Sequence, residues 1–208
     1  MGKKIGKLCV ITDATIQNKY SHYKIAKMAI KGGADIIQLR DKKVPTGELI
    51  ETAIKIKRLC DKYQVLFIIN DRTDVAMIAN ADGVHLGKED IPISDARKLL
   101  GKNKIIGGTS HSLNEAIQIE KEGADYIGFG HIYPTYSKHK KDKPKGINYL
   151  KRVVGKVKLP VFAIGGINHT NIKEVIDTGV HGTAVIGAVV KSNNPVKAVK
   201  DLRKAIYG

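Results

Sequence analysis

One pattern recurs eight times along this chain: a short, nearly all-apolar run rich in β-branched residues, then a longer amphipathic stretch. The apolar runs are Lys7–Thr12, Ile36–Arg40, Val65–Asn70, Gly83–Gly87, Lys104–Gly108, Tyr126–Ile132, Pro160–Gly165 and Thr183–Val189. Such runs suit parallel strands covered on both faces, because parallel neighbours need crossover connections that lay helices over the sheet. The stretches between them have helical spacing. Thr46–Lys62 puts Leu49, Ala53, Ile56 and Cys60 on one face, with Thr46 as the expected N-cap. Ser112–Lys121 and Asn168–Asp177 also read as helices, and Ser112 with Glu115 forms an expected capping box. The joints repeat too. Gly33-Ala34-Asp35, Asn80-Ala81-Asp82 and Gly123-Ala124-Asp125 precede runs two, four and six, and Gly179-Val180-His181 precedes run eight. Gly or Asn there ends a helix in a left-handed cap and sends the chain directly into a strand.

Eight units in 208 residues average 26 residues each. The expectation is an α/β fold, a (βα)8 barrel of the TIM type near its minimum length, in a single domain spanning 1–208. A doubly wound open sheet is the alternative. A hydrophobic content of 42% supplies a sizeable core. No apolar run approaches the roughly 20 residues of a membrane span, and the N-terminus lacks a secretory pattern. Cys9 and Cys60 form no CxxC pair, zinc spacing or disulfide framework, so a cytoplasmic location is expected. The net charge is +16, but only six of the 36 basic residues are Arg, and aromatic residues are 5% of the chain. A nucleic-acid reader clusters its basic residues and interleaves aromatics. Here the reading is a solvated lysine coat that attracts anionic small molecules, with no nucleic-acid or membrane partner. A homo-oligomer is compatible with the sequence.

In such a barrel, chemistry collects at the C-terminal strand ends. Three groups stand there. Gly165-Gly166 after run seven and Gly187, placed on strand eight, let backbone N–H groups approach a phosphate; simple turn glycines are the structural alternative. Asp71 ends run three and Asp90 follows run four, on strands about 4.8 Å apart. Two carboxylates so placed can hold one hard cation, for which Mg²⁺ with its retained waters is favoured. A general acid/base pair is the other chemical reading, and helix capping by Asp90 the structural one. Arg40, Lys42 and Lys138 form the third group. Arg40 lies in an apolar strand and must meet a phosphate or a carboxylate partner in the barrel mouth. Together the tips suit a monophosphate on one side and a Mg²⁺-diphosphate on the other. Of the histidines, His22 and His139 read as solvated, His169 as a helix-start residue and His85 as a hydrogen-bonded barrel residue; none has zinc spacing.

These segments resemble the thiamine-phosphate synthase / thiazole tautomerase family along essentially the whole chain. Gln38-Leu39-Arg40-Asp41-Lys42 is similar to the family's pyrimidine-diphosphate strand. Asn70-Asp71-Arg72 and His85-Leu86-Gly87-Lys88-Glu89-Asp90 are similar to its metal-carrying segments. The run from Gly130 to Lys138 is similar to its thiazole-phosphate loop, and Ala163-Ile164-Gly165-Gly166-Ile167 to its phosphate loop. The resemblance implies Mg²⁺ on Asp71 and Asp90. It implies pyrimidine-diphosphate contacts from Gln38, Arg40, Lys42, Asn70, Thr109 and Lys138, with Arg40, Lys42, Thr109 and Lys138 acting on the leaving pyrophosphate. It implies thiazole-phosphate contacts from Thr135, Ser137, Gly166, Ile186 and Gly187. The implied reaction gives thiamine phosphate and pyrophosphate by a dissociative route, which asks for charge neutralisation and positioning.

The chain departs from the family where serine is common: it has Thr109 at the end of strand five and Gly187 on strand eight. The segment from Lys138 to Lys145 is unusually lysine-rich, and reads either as a lid or as a solvated loop. The rival within the family is a thiazole tautomerase with His131 as proton shuttle, but that activity needs neither a diphosphate nor metal carboxylates. A non-catalytic phosphate-ligand-binding barrel, and an unrelated phosphate-binding isomerase with a strong base at a strand tip, are further alternatives. No glutamate stands at a strand tip.

Overall fold

The computed structural model describes residues 4–16, 19–135 and 143–208. Eight parallel strands close into a barrel in chain order: β1 (Leu8–Asp13), β2 (Ile36–Arg40), β3 (Leu66–Asn70), β4 (Gly83–Leu86), β5 (Ile105–Ser110), β6 (Tyr126–Gly130), β7 (Val161–Ile164) and β8 (Gly182–Val185). β8 pairs with β1 through Leu8 opposite Thr183 and Val10 opposite Val185. The helices are α1 (His22–Gly32), α2 (Thr46–Lys62), α3 (Thr73–Ile78), α4 (Ile93–Leu100), α5 (Leu113–Lys121), α6 (Gly146–Val154), α7 (Ile172–Ile176), α8 (Gly187–Val190) and α9 (Pro195–Tyr207). None is long and apolar enough among the described residues to cross a membrane.

The strand pleat divides the apolar residues between two cores. On β2, Ile37 and Leu39 join the shell between sheet and helices, while Ile36 joins a smaller interior cluster with Cys9, Ile11, Leu66, Ile68, Tyr126 and Phe162. Two interior glycines make room for rings. A Cβ on Gly107 would lie 2.1 Å from Tyr126, and one on Gly128 would lie 2.9 Å from His85. Tyr126 stacks on His85 at 5.4 Å and meets Phe162 edge-on at 5.4 Å, so an aromatic floor closes the barrel beneath its mouth.

The repeated joints behave as their residues require. Gly33, Asn80, Gly123 and Gly179 have φ of 93°, 48°, 86° and 82°. The aspartates that follow do more than turn the chain. Asp35 accepts the Leu8 N–H, Asp82 the Phe67 N–H and Asp125 the Ile106 N–H. Each carboxylate thus satisfies a donor at the start of the preceding strand and pins the register. At the closing seam, His181 Nε2 meets the Ile5 carbonyl at 3.2 Å.

The eighth strand is shorter than expected, ending at Val185, and Gly187 opens α8 instead of lying in the sheet. Val189 and Val190 are apolar because α8 is buried, and a buried helix and a buried strand produce the same apolar run. The seventh helix is also shorter than Asn168–Asp177. Asn168 and Asn171 use their side chains on local backbone N–H groups, which delays helix entry. Pro45, not Thr46, occupies the N-cap of α2, and the Thr46 hydroxyl accepts from Arg72. Ser112 caps α5 through the Glu115 N–H, while the Glu115 carboxylate accepts from the His111 N–H, one residue earlier than a regular capping box. The other strand limits agree with the apolar runs to within two residues.

Candidate active site

The strand tips surround a cavity of about 650 Å³ whose base is the aromatic floor. Gln38, Lys42, Asn70, Asp71, Asp90, Thr109, His131, Thr135 and Ile186 all line it. Gly166 and Gly187 line an adjoining hollow of about 290 Å³, which shares Thr135, Gly165 and Ile186 with the larger cavity. Ser137 and Lys138 lie outside the described residues, as does His139.

Asp71 sits just past β3 at φ 66°, a left-handed conformation that Asp tolerates, and its N–H donates to the His85 carbonyl at 2.8 Å. Its carboxylate pairs with Lys42 Nζ at 2.8 Å. Asp90 Oδ2 accepts the Gly87 N–H at 2.6 Å, and the Asp90 side chain also meets that of Asp71. Burial, then the Asp71 carboxylate, push the Asp90 carboxyl above the ordinary range, while the Gly87 N–H and Lys42 pull the other way. Asp90 does not cap a helix, since Pro92 holds the N-cap of α4 with no side-chain bond. Two carboxylates held together at the rim of a cavity are a hard-oxygen donor set. Among the described residues no group of three or more His, Cys, Asp or Glu could hold a metal. A cation here would take two protein carboxylates and complete its shell with water or substrate oxygen, which fits Mg²⁺.

Arg40 takes the ion-pair option. Its guanidinium, 10% exposed, pairs with Asp13, whose side chain is fully buried, and Asp13 also accepts the Thr15 N–H and hydroxyl. Arg40 is not among the residues lining the cavity. Thr109 Oγ1 meets His85 Nε2 at 2.8 Å, and His85 Nδ1 meets the Tyr126 hydroxyl at 2.9 Å, so His85 is the hydrogen-bonded barrel residue expected. His131 is buried, and Gly165 must be glycine beside it, since a Cβ there would lie 2.3 Å from His131 Cβ. His111 Nδ1 donates to the Gly130 carbonyl at 2.5 Å.

Sequence reasoning assigned no role to Asp13 or His111, and it misread His22. His22 is buried rather than solvated, held between Thr12 Oγ1 at 2.8 Å and Asp41 Oδ2 at 2.9 Å. Its partners lie 10 and 19 residues away, so no local spacing points to them.

Residues 8–189 match the family model described as thiamine monophosphate synthase. The chain belongs to this family. Like the thiamine monophosphate synthases, it is an enzyme, and the likeness runs nearly end to end. It is 45% identical over 201 residues to the thiamine-phosphate synthase of Chlorobium phaeobacteroides, covering 97% of this chain and 96% of the relative. It is 45% identical over 200 residues to that of Pyrococcus horikoshii, covering 96% and 94%. The solved thiamine phosphate pyrophosphorylase from Pyrococcus furiosus superposes with a TM-score of 0.89 at 43% identity, covering 96% and 95%. More distant barrels share the fold alone, for example a 3-hexulose-6-phosphate synthase at 21% identity and a TM-score of 0.69. In this chain the carboxylate pair, the lysine on it and the glycine-lined hollow occupy one mouth of one barrel.

Proposed function

We propose that the chain joins 4-amino-2-methyl-5-pyrimidinylmethyl diphosphate to thiazole phosphate, giving thiamine phosphate and pyrophosphate. The observation that carries this reading is the Asp71–Asp90 carboxylate pair with Lys42 on Asp71, set above an aromatic floor. An apolar base suits a flat heterocycle, and the charged rim suits its diphosphate. Asp71 and Asp90 would hold Mg²⁺, which when bound supplies positive charge against the diphosphate. Lys42, Asn70, Thr109 and Lys138 bind the departing pyrophosphate, and Gln38 orients the pyrimidine. Arg40, compensated by Asp13 and outside the cavity lining, supports the β2 tip from behind these contacts. Thr135, Ser137, Gly166, Ile186 and Gly187 cradle the thiazole phosphate.

The bond between the pyrimidinylmethyl carbon and the diphosphate oxygen breaks, and the electron pair leaves with pyrophosphate. The thiazole nitrogen then donates its lone pair to that carbon. The residues bind, orient and neutralise charge, and no strong base is required. Thiazole tautomerisation would make no use of the Asp71–Asp90 pair. Two buried free cysteines fit the reducing cytoplasm in which we place the enzyme, working as one domain over 1–208.

The test is pyrophosphate release from both substrates, with and without Mg²⁺, in the wild type, Asp71→Ala and Asp90→Ala. Release that needs Mg²⁺ and the thiazole, and falls by on the order of a hundredfold or more in both variants, supports the reading. Folded wild type that releases none overturns it, and a His131-centred tautomerase assay follows.

A further inference from the structure

Lys42 reaches Asp71 from the short loop between β2 and α2, and that loop is held from within. Asp41 Oδ1 accepts the Lys43 N–H at 2.8 Å and the Val44 N–H at 3.2 Å, folding the backbone around Lys42. Asp41 Oδ2 meets His22 Nε2 at 2.9 Å, and His22 Nδ1 meets Thr12 Oγ1 at 2.8 Å. Thr12 is fully buried on β1, and the Asp41 and His22 side chains are 4% and 10% exposed. The chain of contacts therefore runs from the barrel wall, through the first turn of α1, into the loop.

Docking of α1 does not require this chain. Ile25, Ala26 and Ala29 are fully buried, and Gly32 packs so closely on α9 that a Cβ would lie 2.5 Å from Val199 Cβ. The turn around Lys42 also rests on Val44, which packs against the core, and on the Lys42–Asp71 pair, but the Asp41–His22–Thr12 contacts are the ones that tie its backbone to β1. Buried polar networks are costly unless fully partnered, and where complete they select one geometry.

We infer that Thr12, His22 and Asp41 form a positioning relay that fixes Lys42 at the diphosphate end of the site. None of the three is a catalytic residue; they act through Lys42. The inference rests on the proposed transfer from a diphosphate.

Two readouts separate the inference from that reading: calorimetric binding of inorganic pyrophosphate in Mg²⁺, and turnover. His22→Ala and Asp41→Ala should each weaken pyrophosphate binding by about tenfold, short of the roughly hundredfold that a 1 Å misplacement brings. KM for the pyrimidine diphosphate should rise by a similar factor while KM for the thiazole phosphate holds. Asp41→Asn, which keeps an acceptor for the Lys43 and Val44 N–H groups, should recover most of the loss. In a Lys42→Ala background the same substitutions should add nothing. Should His22→Ala fail to fold, Thr12→Val and Asp41→Ala carry the same comparison. Losses that add in the Lys42→Ala background, or a parallel rise in both KM values, overturn the relay. Coupled pyrophosphate binding without turnover sinks the proposed function and keeps the relay. A wild type that binds no pyrophosphate sinks both.

Discussion

Asp13 and Asp74 each pair with an arginine, and their surroundings set very different consequences for losing them. Asp13 is fully buried and compensates Arg40 inside the mouth, whereas Arg72 and Asp74 are 38% and 54% exposed. Removing one partner of a buried pair strands a charge, so Asp13→Ala should destabilise by about 3–5 kcal/mol. Asp74→Ala should cost less than about 1 kcal/mol, because water replaces the partner. Urea unfolding of the two variants measures the contrast, and equal losses would refute it. Asp90 carries a stability effect of unusual sign. Its carboxyl is raised by burial first and by Asp71 next, so the folded state takes up a proton more readily than the unfolded one. That contribution favours folding below the unfolded pKa and is lost as pH rises through the folded pKa, so at neutral pH the charged pair opposes folding. In chelator at pH 7, Asp90→Asn should therefore unfold at a higher urea concentration than the wild type. The difference should shrink as pH falls through the raised folded pKa and be gone below the ordinary Asp value of about 4. A lower midpoint at pH 7 would contradict the account.

The elements divide the labour between the two ends of the barrel. At the N-terminal end, the joint aspartates bind the first N–H groups of neighbouring strands, and Asp35 also pairs with Arg203 and Tyr207 of α9. Asp35→Ala leaves the Leu8 N–H without its carboxylate and should cost at least about 1–3 kcal/mol in unfolding, with kcat unchanged. At the C-terminal end, Gly166 follows β7 at φ 70°, and a Cβ there would lie 2.5 Å from the Pro134 carbonyl oxygen and 2.7 Å from Tyr133 Cβ. Gly166→Ala should push the β6 loop off the phosphate hollow and raise KM for the thiazole phosphate, with a smaller change in KM for the pyrimidine diphosphate. Steady-state kinetics on the two variants test the division, and a kcat defect in folded Asp35→Ala would break it. These joints were legible in the sequence because a left-handed cap restricts the residue type on the spot. α8 was not, since burial erases the periodicity that separates a helix from a strand.

At the scale of the molecule, the barrel could be read from order alone: eight apolar runs, each followed by an amphipathic stretch, leave few ways to close a parallel sheet. The same order placed Asp71, Asp90 and Lys42 at one mouth. The Arg40–Asp13 pair and the Thr12–His22–Asp41 contacts could not be read, because they depend on which distant side chains meet once the barrel is closed. The net charge is likewise a property of the whole chain and predicts a whole-molecule behaviour. At +16 the protein attracts anionic substrates before any contact forms. That attraction is screened over a Debye length of about 8 Å at physiological ionic strength, whereas contacts inside the cavity are screened much less. With Mg²⁺ held fixed, kcat/KM for the pyrimidine diphosphate should fall by roughly several-fold as ionic strength rises from about 0.01 M to about 1 M, while kcat changes little. Exposed Lys27 and Lys31 lie on α1, with Lys31 in its last turn, away from the mouth. Replacing both by Gln should lessen this salt dependence only slightly, since +14 of the +16 remains, and leave kcat intact, because they act through the field alone. A kcat that falls in step with kcat/KM would instead place the salt effect on the bound diphosphate and its cationic partners.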